Sequence, residues 1–367
     1  MIVERRLSAH LDWPLLGAIL ALTAIGLSTI YSVTWDFRHD QPGAQFWAQL
    51  KALPIGLVAL LVCLAIDYRS LAQRALIIYG LLIAALVAVA FFGDVRMGAR
   101  RWIPIGSFSL QPSEFGRIAL ALVLAMIYGE GRRGARTVTD LFVGAAVLGL
   151  PLFLILRQPD LGTAATLVPV YLGVIFLAGL RMKWLAIGGL IAVLLSPVAW
   201  MFVLEDYQKG RIETFLDPSK DPKGDGYQQI QAKVTVGSGG LFGKGFGQGT
   251  QGGYGFLPVA HNDFVYSVLA EEQGFVGVLV TLGLYLFVLM RSLDAAKLAK
   301  DRVGAFLVVA IISGFTFQVV YNITMSAGLA PVKGLTLPLM SYGGSSLVAT
   351  LAGFGLILNV RMRRFTN

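Results

Sequence analysis

Ten apolar runs, each long enough to form a helix and most of them long enough to span a membrane, constrain this chain more than any other feature. About 20 apolar residues in a helix cross the roughly 30 Å hydrocarbon layer of a bilayer. Only 14% of the residues are charged, whereas soluble domains carry about 25%. The sequence therefore predicts an all-α polytopic membrane protein of about ten transmembrane helices, in a single domain over residues 1–367. The ten runs are Trp13–Val33, Leu50–Ile66, Ala75–Phe92, Ser113–Tyr128, Val138–Leu156, Leu161–Leu180, Trp184–Leu204, Asp263–Met290, Val303–Met325 and Leu335–Val360.

The basic residues are divided unevenly between the two sides of this arrangement. More than half of the thirty lysines and arginines lie in the two termini and in the short connections on the same side. Cytoplasmic loops carry an excess of Lys and Arg, so we expect both termini to be cytoplasmic. The longest connection, residues 205–262 between helices 7 and 8, is then extracytoplasmic. This bias accounts for much of the net charge of +9, and we expect no nucleic-acid partner.

Charged residues also occur at the outer helix ends, in stretches that contain Pro or Gly. Ionisable groups at membrane depth usually pair with one another or line a pathway. A group of outward-facing cations indicates an anionic ligand, most simply the phosphate of a lipid head group. The candidate substrate-binding residues are Arg100, Arg101, Glu114, Arg117, Asp160, Lys333 and Ser341, and the longest connection ends on a further acid, Asp263, at the start of helix 8.

Several of these residues also have a purely structural interpretation. Glu114 and Arg117 are three residues apart on one helix face and could form a structural ion pair. Asp160 precedes an apolar run and could cap that helix. The stretch from Ser341 to Ser346 contains Gly-Gly between serines, which favours close helix packing. The sequence alone leaves both interpretations open at each position.

Other common kinds of site find no support in the sequence. The glycine-rich segment 237–249 lacks the Gly-Lys-Ser/Thr ending of a phosphate-binding loop, so we interpret it as a conformational element. The three histidines are widely separated, and no metal-ligand spacing is present. Cys63 is the single cysteine, so no disulfide can form within the chain. Two classes of function remain, an enzyme that acts on a lipid-borne anion or a transporter of one. Polar residues concentrate in the outer half of the membrane, which favours the enzyme.

Five motifs, in order, resemble those of the SEDS (shape, elongation, division, sporulation) family. They are Arg100-Arg101-Trp102-Ile103, Gln111-Pro112-Ser113-Glu114, Gln158-Pro159-Asp160-Leu161-Gly162-Thr163, His261-x-Asp263-Phe264 and Ser341-Tyr342-Gly343-Gly344-Ser345-Ser346. Segments of the long connection, such as Phe215-Leu216-Asp217-Pro218, are similar to the RodA branch of that family. The chain departs from the family pattern at Arg117, where Lys is usual, at Val259 and Asn262, and at Lys333, where an uncharged residue is usual.

The resemblance implies a peptidoglycan glycosyltransferase that polymerises lipid II at the outer face of the bacterial cytoplasmic membrane, for cell elongation and rod shape. It also implies a class B penicillin-binding protein, a transpeptidase, as partner, together with other membrane proteins of the elongation complex. Asp263 matches the essential acid of the family, and Glu114, Asp160 and Arg117 match other functional positions. The alternatives are a lipid II flippase and a non-catalytic scaffold for a penicillin-binding protein.

The resemblance leads to a hypothesis for the reaction. Asp263 would accept the proton of an acceptor sugar hydroxyl, and we expect the helix N-terminus after it to lower its pKa. Orienting the acceptor or holding a divalent cation such as Mg²⁺ are its alternative roles. Arg100, Arg101, Arg117 and Lys333 would neutralise the pyrophosphate leaving group.

Overall fold

The computed structural model describes residues 10–36, 39–96, 99–106, 108–130, 138–179, 182–202 and 204–365. The α-helices are α1 (Trp13–Val33), α2 (Ala44–Ala65), α3 (Tyr68–Gln73), α4 (Ala75–Phe92), α5 (Pro112–Glu130), α6 (Val138–Arg157), α7 (Leu161–Leu177), α8 (Met182–Phe202), α9 (Asp206–Leu216), α10 (Asp225–Ser238), α11 (Thr250–Gly253), α12 (Val265–Lys297), α13 (Arg302–Ser326) and α14 (Gly344–Met362). Short strands β1 (Trp35–Asp36) and β2 (Gln41–Pro42) form one antiparallel pair, and β3 (Asp94–Arg96), β4 (Ala99–Ile105) and β5 (Phe108–Leu110) form an antiparallel three-stranded sheet.

The helices confirm the predicted polytopic membrane fold. Within the described residues, α1, α2, α4, α5, α6, α12, α13 and α14 are long and apolar enough to cross a membrane. α7 and the Ala186–Val198 part of α8 are shorter apolar helices. Together they account for the ten apolar runs. Orientation stays a prediction, and several cations on which it depends, such as Arg5 and Arg132, lie outside the described residues.

The last helix forms the centre of the bundle. Inside α14, 94% of the most apolar stretch is buried, compared with 22% in α2 and α4. α14 packs mainly against α2, while α13 packs against α5 and α7. Since α5, α13 and α14 are the helices most enclosed by protein among those described, their polar side chains face other protein groups rather than lipid.

The long connection is folded. It contains α9, α10 and α11, and α10 packs on α12 and α13. α9 begins with a capping box in which Glu205 and Gln208 satisfy each other's backbone N–H groups. The connection therefore forms an ordered layer against the N-terminal end of α12 and the C-terminal end of α13.

The last span begins later than the sequence predicts. We expected a helix from Leu335, but α14 begins at Gly344. Pro338 has no N–H to donate to a helix, and Leu339 has a positive φ of 70°, which a right-handed helix excludes. Residues 327–343 instead form an irregular segment between α13 and α14, and this segment reaches the candidate site.

Candidate active site

The carboxylate of Asp263 lies at the junction between the long connection and α12. Its side chain is 8% exposed, and the buried Oδ1 atom has no hydrogen-bond partner in the protein. Its Oδ2 atom faces Gly334, where an added Cβ would lie 3.6 Å away. Asp263 is thus a buried carboxylate with unused acceptor capacity, and it faces the segment between α13 and α14.

Burial dominates the protonation of Asp263. Removal from water raises the pKa of its carboxyl group to about 7, while the positive charge of Arg211 lowers this pKa and the negative charge of Asp225 raises it. The expectation that the helix N-terminus lowers the pKa was wrong. Desolvation is the larger effect, and Oδ1 accepts no helix N–H. Near neutral pH the carboxyl group can therefore exchange between its protonated and ionised forms.

Arg211 and Asp225 are two residues of this site that the sequence did not reveal. Arg211 Nε lies 3.4 Å from Asp225 Oδ2, joining α9 to the start of α10. Both charges act on Asp263, although they are about 40 to 50 positions away in the chain. The only sequence signal was a cation in the long connection, and that connection contains several others.

Lys333 lies in the segment that faces Asp263. Its Nζ atom is 5.5 Å from the ring centre of Tyr321, a cation–π distance. The Tyr321 hydroxyl donates to the carbonyl oxygen of Pro331 at 2.8 Å and so anchors this segment to α13. Burial lowers the pKa of Lys333, and the charge of Arg211 lowers it further. Arg211 thus brings positive charge to the neighbourhood of Asp263, and Lys333 directly precedes Gly334, which the Asp263 carboxylate faces.

Glu114 and Arg117 form the predicted ion pair on α5. Arg117 Nη2 donates to Glu114 Oε2 at 2.8 Å, and Arg117 Nη1 donates to Gln318 Oε1 on α13. Gln318 Nε2 in turn donates to the backbone oxygen of Thr336 at 3.0 Å and to its hydroxyl at 3.1 Å. The pair is therefore part of a network that reaches the same 327–343 segment as Lys333.

Asp160 caps α7, as its position predicts. Its Oδ1 accepts the N–H of Thr163 at 3.0 Å, and its Oδ2 accepts from Gln111 Nε2 at 3.0 Å. Two residues later, a Cβ added at Gly162 would lie 3.1 Å from the carbonyl oxygen of Lys333. The first turn of α7 therefore touches the segment that faces Asp263, and this contact brings Asp160 and Lys333 into one region.

The arginines of β4 are placed differently from each other. Arg101 Nε donates to the carbonyl oxygen of Gln158 at 2.9 Å, and Nη2 donates to that of Pro159. It thereby holds the turn that leads into Asp160. Arg100 is exposed, and its Nη1 lies 3.5 Å from the carbonyl oxygen of Phe91. A substrate-binding role for either arginine stays a prediction.

Ser341 has a structural contact of its own. Its hydroxyl accepts the N–H of Leu337 at 2.8 Å, and its carbonyl oxygen accepts from Gln49 Nε2 at 3.2 Å. These bonds shape the turn before α14. A substrate-binding role for Ser341 also stays a prediction.

No ready-made metal centre occurs in the described part of the chain, where no three His, Cys, Asp or Glu residues converge to hold an ion. Mg²⁺ is commonly bound by one or two carboxylates together with substrate phosphates. The unpartnered Oδ1 of Asp263 fits such a shared site, in which the substrate would supply most of the ligands.

Comparison with known proteins covers nearly the whole chain. The FtsW/RodA/SpoVE family, described as cell cycle proteins, matches residues 13–365. The peptidoglycan glycosyltransferase MrdB of Escherichia coli (strain K12) is 36% identical over 355 residues, which cover 97% of this chain and 94% of MrdB.

Solved structures show the same similarity. One of them comes from work on the structural coordination of polymerization and crosslinking by a peptidoglycan synthase complex. A chain of that structure aligns with a TM-score of 0.84 and 35% identity, covering 97% of this chain and 99% of that chain. The crystal structure of the rod shape determining protein RodA of Thermus thermophilus gives a TM-score of 0.73 and 32% identity, covering 97% of this chain and 98% of RodA. The resemblance inferred from the five motifs is thereby confirmed.

Proposed function

Because this chain belongs to the FtsW/RodA/SpoVE family, we propose that it is a peptidoglycan glycosyltransferase that polymerises lipid II during cell elongation. The observation that carries the proposal is the buried carboxylate of Asp263, whose Oδ1 has no hydrogen-bond partner and whose Oδ2 faces Gly334, the residue after Lys333. Transfer of a sugar from a lipid pyrophosphate requires a proton acceptor and positive charge close to the membrane. This region supplies both.

Asp263 acts as the general base in this proposal. Its carboxylate takes the proton of an acceptor sugar hydroxyl as that oxygen bonds to the anomeric carbon of the donor sugar. The bond between this carbon and the pyrophosphate oxygen breaks, and its electron pair leaves with the lipid pyrophosphate. A pKa near 7 suits a base that works at neutral pH, and such catalysis contributes typically about 10²–10⁴-fold.

Positive charge for the leaving pyrophosphate comes from Lys333 and Arg211. The electrostatic effect of Arg211 reaches both Asp263 and Lys333. Arg117 is already bound to Glu114 and Gln318, which supports a role in holding the site together. In the alternative role, Asp263 would hold a divalent cation, which would supply positive charge at the leaving group in place of base catalysis by this carboxylate.

The proposal places the site at the outer face of the bacterial cytoplasmic membrane, with both termini in the cytoplasm. The distribution of Lys and Arg supports this orientation.

The proposal also includes partners. One is a class B penicillin-binding protein, which crosslinks the strands, and the others are further membrane proteins of the elongation complex. The similarity to a chain of a peptidoglycan synthase complex supports such an assembly.

The test is polymerisation of purified lipid II by the full-length chain with its penicillin-binding partner. Asp263→Asn removes the base and should abolish polymer on a gel. Asp217→Asn is a matched control, because Asp217 is an exposed acid of the same long connection, and it should polymerise at the wild-type level. Polymer from Asp263→Asn would overturn the role of Asp263. Movement of labelled lipid II across proteoliposomes without polymer would identify a flippase instead.

A further inference from the structure

The membrane helix that follows Asp263 is broken after about two turns. Gly274 in α12 has φ of 65° and ψ of −164°, which no helical residue adopts. The short piece 265–273 is thereby separated from the rest of α12. A break of this kind leaves backbone groups without helical partners, and in a membrane these groups require partners from the protein.

The glycine-rich segment 239–253, here called the strap, supplies these partners. The N–H groups of Lys244 and Gly245 donate to the carbonyl oxygens of Glu271 and Glu272 at 2.9 and 3.0 Å. In the opposite direction, the N–H of Phe275 donates to the carbonyl oxygen of Gly240 at 2.9 Å. The strap thus fills the break through backbone hydrogen bonds on both sides of Gly274.

Close approach of the two backbones explains why the strap is rich in glycine. A Cβ added at Gly239 would overlap the carbonyl of Ala270, and one added at Gly243 would overlap the carbonyl of Glu272. Gly243 also has a positive φ of 78°. The segment that invited a phosphate-loop interpretation is therefore shaped to fit against α12.

The buried carboxylate of Glu271 accepts hydrogen bonds from several residues of the strap. Glu271 is fully buried, and its Oε1 accepts from Lys244 Nζ at 2.6 Å and from the N–H and hydroxyl of Thr250, each at 3.0 Å. The N–H of Gln251 donates to Oε1 at 3.1 Å and to Oε2 at 3.2 Å. A single buried charge thus orders both halves of the strap.

The short piece 265–273 connects this arrangement to the candidate base. Asp263 lies two residues before the piece begins, and Glu271 lies in its last turn. On the side of α13, Asn322 Nδ2 donates to the carbonyl oxygen of Asp263 at 2.8 Å. The piece is therefore held at one end by Asn322 and at the other by the strap.

We propose that Glu271 is a positioning residue for Asp263, which holds the strap in the break of α12 and thereby fixes the short helical piece that presents the base. The inference rests on the proposed function of Asp263. Misplacement of a catalytic group by about 1 Å can cost about 10²-fold in rate. Loosening the strap should therefore lower kcat for lipid II polymerisation by about 10–100-fold, with little change in KM.

Glu271→Gln is the central variant, because it keeps the size of the side chain but turns one acceptor oxygen into a donor that faces strap N–H groups. Glu213→Gln is the matched control, since Glu213 is an exposed glutamate of the same connection that pairs with Lys220 at 3.4 Å. Lys244→Met is a milder variant that removes one of the contacts to Glu271. Hydrogen exchange of residues 239–253 reports whether the strap has loosened.

A disulfide between the strap and the short helical piece 265–273 tests whether loss of kcat comes from misplacement of Asp263 or from general loss of folding. A Cβ added at Gly252 would lie 3.2 and 3.7 Å from the two methyl carbons of Val268, so Gly252→Cys with Val268→Cys is close to disulfide geometry. The same Cβ would lie 2.9 Å from a methyl carbon of Val33, which must shift to make room. Both changes are made in a Cys63→Ala background, with and without Glu271→Gln. The oxidised tethered chain that keeps Glu271 sets the reference kcat. When Glu271 is replaced, the tether should restore kcat to this reference after oxidation and lose that effect after reduction.

The outcomes distinguish the two proposals. The inference is supported if Glu271→Gln shows faster hydrogen exchange of the strap together with a lower kcat. It also requires a smaller loss of kcat in Lys244→Met and recovery of kcat in the oxidised tether. Wild-type kcat in Glu271→Gln, or no rescue by the formed tether, overturns it while the role of Asp263 stands. If the wild-type chain makes no polymer from lipid II, the proposed function fails instead.

Discussion

Arg117 holds Glu114 inside the helix bundle, with Nη2 at 2.8 Å from Glu114 Oε2 and both residues 8% exposed. The same guanidinium group donates to Gln318 on α13. Breaking one partner of such a pair leaves an uncompensated buried charge, which costs about 3–5 kcal/mol. The loss of one partner should therefore be more harmful than the loss of both.

Arg117→Met should lower the thermal unfolding temperature in detergent and reduce polymerisation, because Glu114 then has no cation. Arg117→Lys keeps the charge but loses the forked geometry that reaches two partners, so its loss should be smaller. The double variant Glu114→Gln with Arg117→Met should be more stable than Arg117→Met alone. Equal stability of Arg117→Met and the wild type would contradict a role for this ion pair.

The rate of polymerisation should rise with pH through about 7. Ionised Asp263 is the active base, and burial raises the pKa of its carboxyl group to about 7, so acid protonates it and lowers the rate about tenfold per pH unit below this value. The pH dependence of single-turnover rates with lipid II measures the effect.

Two variants should move this pH profile in opposite directions. Arg211→Gln removes the positive charge that lowers the pKa of Asp263 and should shift the midpoint to higher pH. Asp225→Asn removes the negative charge that raises this pKa and should shift the midpoint to lower pH. Shifts in the same direction would show that these charges do not act through Asp263.

The ionisation of Asp263 should lower folding stability as pH rises, whereas it raises the rate of polymerisation. The pKa of Asp263 is raised on folding, so its favourable contribution belongs to the protonated form and is lost as pH rises through about 7. Asp263→Asn should therefore unfold at a higher temperature than the wild type at pH 8, while making no polymer. A lower unfolding temperature at that pH would contradict the burial cost assigned to this carboxyl group.

Lys333→Met should reduce kcat/KM for lipid II by about 10–100-fold, since hydrogen bonds to charged groups contribute about 1.5–3 kcal/mol. Lys333→Arg should keep much of the activity. Lys220→Met is the control, because Lys220 is a cation of the long connection that is more exposed than Lys333, and its activity should match the wild type. If Lys333→Met were as active as Lys220→Met, Lys333 would not supply positive charge to the leaving pyrophosphate.

Asn322→Leu should destabilise the protein and slow polymerisation together. Asn322 Nδ2 donates to the carbonyl oxygens of Asp263 at 2.8 Å and of Leu335 at 2.6 Å. Its loss leaves two buried acceptors unpaired, at about 1–3 kcal/mol each. Thr324→Val, two residues further along α13, removes only a hydroxyl bonded within its own helix and serves as the control in thermal unfolding and activity measurements.

Local patterns were sufficient to predict most of the fold. The bounds of α1 and α4 agree with the apolar runs Trp13–Val33 and Ala75–Phe92, because hydropathy and helix length are properties of neighbouring residues. The prediction failed at Leu335–Gly343, where a long apolar run does not form a helix. Apolar composition alone does not distinguish a helix from a buried irregular segment whose polar groups are satisfied by distant residues.

Part of the candidate site was likewise predictable. Asp263, Asp160 and the pair of Glu114 and Arg117 stand out as charges at the ends of apolar runs. Gln318 and Asn322 do not, since a single amide within an apolar run has no pattern of its own. They were found only through hydrogen bonds to residues in other parts of the chain.

The amino-acid sequence by itself determined that the chain crosses a membrane, which helices do so and which acid is the candidate base, because hydropathy and motif order are local properties. Only the tertiary structure decided that Asp263 is buried with a raised pKa, that Arg211 and Asp225 act on it, and that the strap fills the break at Gly274. Burial and electrostatic interaction depend on distances in space, and the residues that set them are far apart along the chain.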